Sequence, residues 1–163
     1  MSELYSRTAI LSDMPFIMEE FEEGARKGHF NELNLAGKEG KMFEKQTRQA
    51  IMINEQGGYS GHYIFILVRR SDEKRLGLIW FCPAPDPRGM QRLEIRAVSI
   101  NKAFRGKGYG SILVSDMLDA NTHPMMARCL AKSSQMAEML KRRGFTLYET
   151  LPSGTQILLR DPR

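Results

Sequence analysis

The stretch INKAFRGKGYGSILVSDML, residues 100–118, joins the end of a strand pattern to the beginning of a helical pattern. Glycine occupies every second position in its middle, at Gly106, Gly108 and Gly110. Glycine lets a ligand approach the backbone closely, and the N–H groups at the start of a helix attract anions. We therefore interpret the stretch as a binding loop for a large anionic group such as a pyrophosphate.

The rest of the chain predicts a mixed α/β domain without internal repeats or linkers, so that residues 1–163 form one domain. The predicted elements, in order, are a strand in 5–11, helices in 12–28 and 38–55, strands in 62–68, 76–82 and 91–100, a helix in 108–121, a strand in 125–131, a helix in 133–144 and a terminal hairpin. We expect Gly28 to end the first helix, and a polar loop with His29, Asn31 and Asn34 to follow. The proline-rich residues 83–89 are predicted to be a loop.

Composition excludes several classes of protein. With 42% hydrophobic and 26% charged residues, the chain can fold around a core of its own. It contains no apolar run long enough to cross a bilayer and no signal-peptide pattern, so we expect a cytoplasmic protein. Cys82 and Cys129 are unpaired by spacing and are expected to be reduced core thiols.

The net charge of +5 favours an anionic partner. The sequence has no broad basic stripe interleaved with aromatic residues, which argues against a nucleic acid. A metal site is not expected either, because no acidic loop has ligand spacing and His29, His62 and His123 are isolated. The acidic residues of the first helix, Glu19, Glu20, Glu22 and Glu23, are predicted to form its solvated face, although they could also attract a cationic amine.

The predicted strand 91–100 changes phase along its length. Leu93, Ile95 and Ala97 are apolar at odd positions, whereas Val98 and Ile100 are apolar at even positions. Because side chains alternate between the faces of a strand, this change predicts a bulge near Ala97–Val98, unless the end of the strand is simply buried on both faces. A bulge would leave backbone groups for a ligand with amides of its own, such as a pantetheine arm added in the manner of an extra strand.

The spacing of the glycines fits neither the Walker phosphate loop nor the dinucleotide fingerprint G-x-G-x-x-G. The pattern Arg105-x-x-Gly108-x-Gly110, placed between a strand and a helix, resembles the signature of the GNAT superfamily of acetyl-CoA-dependent N-acetyltransferases. The order of elements and the late Gly144-Phe145 pair extend the resemblance over nearly the whole chain. It implies a three-layer fold, in which helices flank a central, twisted, mostly antiparallel sheet with splayed strands.

The resemblance also implies acetyl-CoA as co-substrate, no metal, and a primary amine as acceptor, and it leaves a homodimer open. The backbones of Val98 and Ile100 would bind pantetheine, and residues 105–111 would wrap the pyrophosphate, with added charge from Arg105 and Lys107. Ser133 stands where many members carry an asparagine. The implied cofactor-binding residues are Val98, Ile100, Arg105, Gly106, Lys107, Gly108, Tyr109, Gly110, Ser111 and Ser133.

For the chemistry, the resemblance implies that Glu94 acts as general base and that a backbone N–H near Val98 polarises the thioester. Glu94 could instead be an ordinary charged residue paired with Arg96. The tyrosine that serves as acid in many members is replaced by Leu140, so Tyr148 or a water molecule would have to protonate the leaving thiolate. The missing tyrosine also leaves open a protein that binds acyl-CoA as a sensor or docking module without catalysis.

Overall fold

A seven-stranded sheet forms the centre of the computed structural model, which describes residues 3–27 and 37–162. The strands are Leu4–Thr8 (β1), Tyr63–Arg69 (β2), Lys74–Pro85 (β3), Gln91–Ile100 (β4), Met125–Cys129 (β5), Thr146–Thr150 (β6) and Gln156–Arg160 (β7). Their order is β1-β2-β3-β4-β5-β7-β6, and only the β4–β5 pair is parallel. The mostly antiparallel sheet predicted from the sequence is confirmed.

Helices cover both faces of the sheet. They are Met14–Arg26 (α1), Lys38–Glu55 (α2), Tyr109–Asp119 (α3) and Ser134–Arg142 (α4). Phe21 of α1 and Phe43 of α2 pack on Trp80 of β3, while Leu113 of α3 and Leu140 of α4 pack in a second cluster. Because the sheet is buried between two helical layers, its inner strands are apolar on both faces. The predicted helix stop at Gly28 and the loop residues His29, Asn31 and Asn34 lie outside the described residues.

The phase change in β4 is a bulge. Trp80 of β3 lies opposite Ala97 and the next residue, Phe81, lies opposite Ile95, so Arg96 is the extra residue of β4. As a result Ile95 and Val98 both pack in the cluster with α3 and α4, although one is odd and the other even. The bulge predicted near Ala97–Val98 is therefore present, one residue earlier than expected.

The proline-rich stretch was wrongly predicted to be a loop throughout, because β3 continues to Pro85. The pairing of β2 with β3 stops at Tyr63 and Phe81, so beyond this point β3 is paired on one side only. The N–H of Asp86 donates to the carbonyl of Met90 at 2.8 Å, and the alternation of antiparallel pairs then turns the nitrogens of Pro83 and Pro85 away from β4. A proline costs no hydrogen bond on such a side.

Candidate active site

A cleft opens where β4 and β5 part. Residues 93–95 of β4 pair with residues 125–127 of β5, and beyond these residues the two strands separate. The gap leads into a cavity of about 780 Å³, whose walls are the ends of both strands, the end of α1 with Lys27 after it, and one side of α4. The splayed strands that the sequence resemblance implied thus form part of the wall of this cavity.

The second half of β4 offers its backbone to this cleft. The N–H of Asn101 donates to the carbonyl of Leu76 at 2.8 Å, so alternation along the antiparallel pair directs the amides of Val98 and Ile100 away from β3. Both residues line the cavity, and Arg105 Nε donates to the carbonyl of Ile100 at 2.8 Å. This wall therefore presents N–H groups two residues apart, as a strand does on a side where no other strand pairs with it.

The glycine loop leads from β4 into α3. Gly106 and Gly108 have φ angles of 79° and 81°, which lie in the left-handed region that favours glycine. A Cβ atom built on either residue would meet no atom within 4 Å, so the space beside them is open. Gly110 is different, because it lies inside α3 and its Cβ would be 3.5 Å from Ile100 Cγ1. Its small size serves the packing of α3 on β4.

The two charged residues of the loop are placed differently. Lys107 is exposed beside the glycines. Arg105 Nη1 instead donates to Glu23 Oε1 at 3.1 Å, and Lys27 Nζ lies 3.3 Å from the same oxygen. Burial acts to raise the pKa of Glu23, but the hydrogen bond from Lys27 and the charge of Arg105 together hold this pKa below its usual range. Arg105 thus fastens the loop to α1, and part of its charge is neutralised there.

The acidic residues of α1 do not form the simple solvated face that was predicted. Glu19 and Glu22 are exposed, but Glu20 and Glu23 are buried. Glu20 accepts hydrogen bonds from Ser99 Oγ at 2.8 Å and from Asn101 Nδ2 at 2.9 Å, which fixes the end of β4. The helical repeat could have indicated this, since Glu20 follows the core residue Ile17 by three positions and lies on the same face.

The remaining residues of the predicted cofactor set have mixed positions. Ser133 immediately precedes α4 and lines the cavity. Tyr109 begins α3 and packs against the apolar cluster beneath it. Ser111 Oγ accepts a hydrogen bond of 2.9 Å from Arg143, whose other nitrogen donates to Ser115 Oγ at 2.9 Å. The hydroxyl of Ser111 therefore joins α3 to the end of α4.

Glu94 lies next to the point where the strands part. Its neighbours Ile95, Arg96 and Arg128 line the cavity, and its own Oε2 lies 3.2 Å from Arg128 Nε. Only 14% of its side chain is exposed. Burial raises the pKa of this carboxyl above the ordinary glutamate value, against the opposing charges of Arg128 and Arg96. A carboxylate whose pKa is raised by burial is a better proton acceptor than an ordinary glutamate.

Tyr148, suggested from the sequence as a substitute acid, is not among the residues that line the cavity. It lies on β6, and β5 and β7 separate that strand from β4. The side chain is exposed, and the guanidinium of Arg88 lies 5.5 Å from the centre of its ring. Leu140, at the place of the family tyrosine, is fully buried and lines the cavity. Cys129 also lines the cavity, and burial raises its pKa to about 11, which keeps the thiol protonated.

The sequence suggested Arg96 only as a possible ion-pair partner of Glu94, but Glu94 pairs with Arg128 instead. Its guanidinium lies 4.9 Å from the centre of the Trp80 ring, and the residue lines both the main cavity and a second one of about 370 Å³. The second cavity is formed by Lys38, Glu39, Met42, Phe43, Gln46 and Arg96. The phase change in the sequence was the available signal, since it located the bulge that turns Arg96 to this position.

Within residues 3–27 and 37–162, no group of three or more histidine, cysteine, aspartate or glutamate side chains could hold a metal ion. None of the helices in these ranges has the length and apolar character needed to cross a bilayer.

A parted parallel strand pair beside a glycine loop that opens a helix is the arrangement that the sequence resemblance to acetyl-CoA-dependent acetyltransferases implied. The model of the Acetyltransferase (GNAT) family matches residues 26–145, and the chain therefore belongs to that family. It is an enzyme of the acyltransferase class. No curated protein matches the sequence.

Solved structures share the fold over nearly all of the chain. A GCN5-related N-acetyltransferase from Kribbella flavida is 20% identical with a TM-score of 0.72, covering 99% of this chain and 98% of that one. A phosphinothricin acetyltransferase from Sinorhizobium meliloti, in complex with AcCoA, is 17% identical with a TM-score of 0.73, covering 99% and 89%. A spermidine N-acetyltransferase from Vibrio cholerae, in complex with CoA and spermine, is 13% identical with a TM-score of 0.68, covering 98% and 94%.

Proposed function

We propose that the protein transfers an acetyl group from acetyl-CoA to a primary amine by direct attack. The observation that carries this proposal is the parting of β4 and β5, which leaves the amides of Val98 and Ile100 beside an open glycine loop. A pantetheine arm has two amide groups and can pair with such a strand edge. The pyrophosphate would then reach the N–H groups of the loop and the first turn of α3.

The proposed reaction moves one proton and exchanges one bond. The amine nitrogen attacks the thioester carbonyl, while the N–H of Val98 stabilises the oxyanion that forms. The C–S bond then breaks, coenzyme A leaves as a thiolate, and the new C–N bond completes the amide. Glu94 accepts the proton from the nitrogen, directly or through a water molecule. A water molecule protonates the thiolate, since Leu140 has no proton to give, and the hydroxide left behind takes the proton from Glu94, so that the net transfer is one proton from nitrogen to sulfur.

The alternative is a protein that binds acyl-CoA without turning it over, and the buried Leu140 at the tyrosine place motivates it. Calorimetry with acetyl-CoA tests the binding that both proposals require. A free-thiol assay with a library of primary amines separates them, because only the enzyme releases coenzyme A. The absence of binding at millimolar acetyl-CoA would contradict both. The cytoplasmic location and the homodimer stay predictions.

The glycine loop gives a matched pair of variants. Gly108→Ala is expected to raise the dissociation constant of acetyl-CoA about 10-fold to 100-fold, because alanine is strained by roughly 1–2 kcal/mol in the left-handed region and its methyl group enters the open space. Gly110→Ala places a methyl group in ordinary contact with Ile100, so we expect binding within about 3-fold of wild type. Calorimetry measures both. Equal binding by the two variants would show that the loop has only a structural role.

A further inference from the structure

The bulge residue Arg96 carries a positive charge beside the proposed reaction site. Its side chain is exposed, and in the two described ranges its guanidinium forms no ion pair. The nearby Glu94 carboxylate, which could have paired with it, lies against Arg128 instead. Arg96 lines both cavities and forms no ion pair within the described ranges, so its guanidinium is available to an anionic ligand.

The contact with Trp80 orients the guanidinium of Arg96. The guanidinium lies 4.9 Å from the centre of the indole ring, and Phe21 and Phe43 pack around the same ring. Contact with an aromatic ring restricts the arginine side chain, and the N–H donors of a guanidinium can bind a carboxylate with two parallel hydrogen bonds. The bulge and the ring therefore hold the donors at the junction of the two cavities.

The charges around this junction disfavour a polycation. Among the residues that the structure describes, the second cavity is lined by two cations, Lys38 and Arg96, and by one carboxylate, Glu39. On the other side of Glu94, Arg128 is about half exposed. A polyamine would bring further positive charges to these side chains, and like charges at a binding site oppose association. An amine that also carries an anion would match both Glu94 and Arg96.

We propose that the acceptor is a zwitterionic amine, such as an amino acid, whose carboxylate or similar oxyanion is bound by Arg96 while its amine lies beside Glu94. The proposal rests on the proposed acetyl transfer and adds the class of acceptor. Arg96 is a specificity-determining residue in this arrangement, and Trp80 positions its guanidinium.

The experiment compares molecules that differ in the anion alone. Free-thiol assays are run with a set of amino acids and aminophosphonates, with the amide of each amino acid, and with the corresponding decarboxylated amines and spermidine. We expect kcat/KM to be at least about 10-fold higher for the best zwitterion than for its amide, because the amide cannot form the charged, two-point contact.

Variants of the chain locate the effect. Arg96→Gln is expected to raise the KM for the zwitterion about 10-fold to 100-fold, with little change in the KM for acetyl-CoA, and to remove the preference over the amide. Arg96→Lys keeps the charge but loses the paired N–H donors of the guanidinium, so it should retain part of the preference for the zwitterion over its amide. Arg48→Gln is the matched control, since Arg48 lies on the outer face of α2 in an exposed pair with Glu44.

Fluorescence provides a reading that does not depend on turnover. The chain contains one tryptophan, Trp80, and Arg96 lies against its ring. Adding the preferred zwitterion to the protein loaded with coenzyme A should change the Trp80 emission with saturation, and the amide should not. Arg96→Gln should abolish the change, whereas Arg48→Gln should retain it.

The outcomes separate the two proposals. Efficient turnover of spermidine or of the decarboxylated amines, with no gain from an anion, would overturn the zwitterionic acceptor and leave acetyl transfer standing. An Arg96→Gln variant with unchanged selectivity would also overturn it. Failure of the wild-type protein to acetylate any amine in the set would overturn the proposed function and this inference together.

Discussion

Replacement of Glu94 by glutamine is expected to lower turnover by about 10²–10⁴-fold, the usual range for loss of a positioned general base. Glutamine keeps the size of the side chain but cannot accept a proton from the attacking amine. The affinity for acetyl-CoA should stay the same, because the groups proposed to bind it are the glycine loop and the backbones of Val98 and Ile100, and the side chain of Glu94 is not among them. Steady-state rates from the free-thiol assay and calorimetry with acetyl-CoA measure the two quantities.

The pH dependence gives Glu94 a signature of its own. A base must be ionised, so the wild-type rate should fall as the pH drops through a pKa that burial has raised above the ordinary glutamate value. The glutamine variant should lose this limb of the profile. Higher pH should partly rescue the variant, because more of the amine is then neutral.

A second variant tests whether Glu94 acts as the general base or only holds Arg128 in place. Arg128→Gln breaks the contact of 3.2 Å but keeps the carboxylate. Since the charge of Arg128 lowers the pKa of Glu94, its removal should move the limb to higher pH without abolishing turnover. If Arg128→Gln and Glu94→Gln lose activity equally and with the same pH profile, Glu94 acts through the ion pair and the general-base assignment is wrong.

The largest expected effect on stability comes from Asp13. Its carboxylate is fully buried and accepts hydrogen bonds from Arg7 at 2.7 and 2.9 Å, from Arg75 at 2.6 Å and from the N–H of Ile10 at 2.8 Å. Asp13→Ala should lower the free energy of unfolding by about 3 kcal/mol, the lower end of the range for a broken buried pair, because both arginines are partly exposed. Urea unfolding measures this value.

The sign of the pH effect follows from the same contacts. Burial acts to raise the pKa of Asp13, but the hydrogen bonds from Arg7, Ile10 and Arg75 together hold this pKa below its usual range. A carboxyl with a lowered pKa stabilises the fold above its unfolded pKa of about 4, and this stabilisation is lost as the pH falls through the folded pKa.

Asp13→Asn should therefore flatten the loss of stability below about pH 4. Asp72→Asn, which breaks an exposed pair with Arg69, is the control and should change the stability little at neutral pH. Equal acid sensitivity of wild type and Asp13→Asn would show that other carboxylates dominate.

The sequence predicted the features that depend on neighbouring residues. The glycine loop, the strand before it and the irregularity in β4 are all visible as local periodicity or spacing. The position of Tyr148 could not be predicted in this way, because it depends on the order of β5, β7 and β6, which pair across long separations in the chain. The hydrogen-bond partners of Glu20 could not be predicted from neighbouring residues either, since Ser99 and Asn101 are about 80 residues away.

The parting of β4 and β5 also bears on the lifetime of the protein. From Val98 to Ile100, β4 has an edge on the β5 side that no described strand pairs with, and open strand edges invite pairing with other chains. A bound acetyl-CoA would cover this edge and, at a concentration 100 times its dissociation constant, would stabilise the folded state by about 2.7 kcal/mol. The supply of the co-substrate would then govern aggregation and proteolytic turnover of the enzyme as well as its rate.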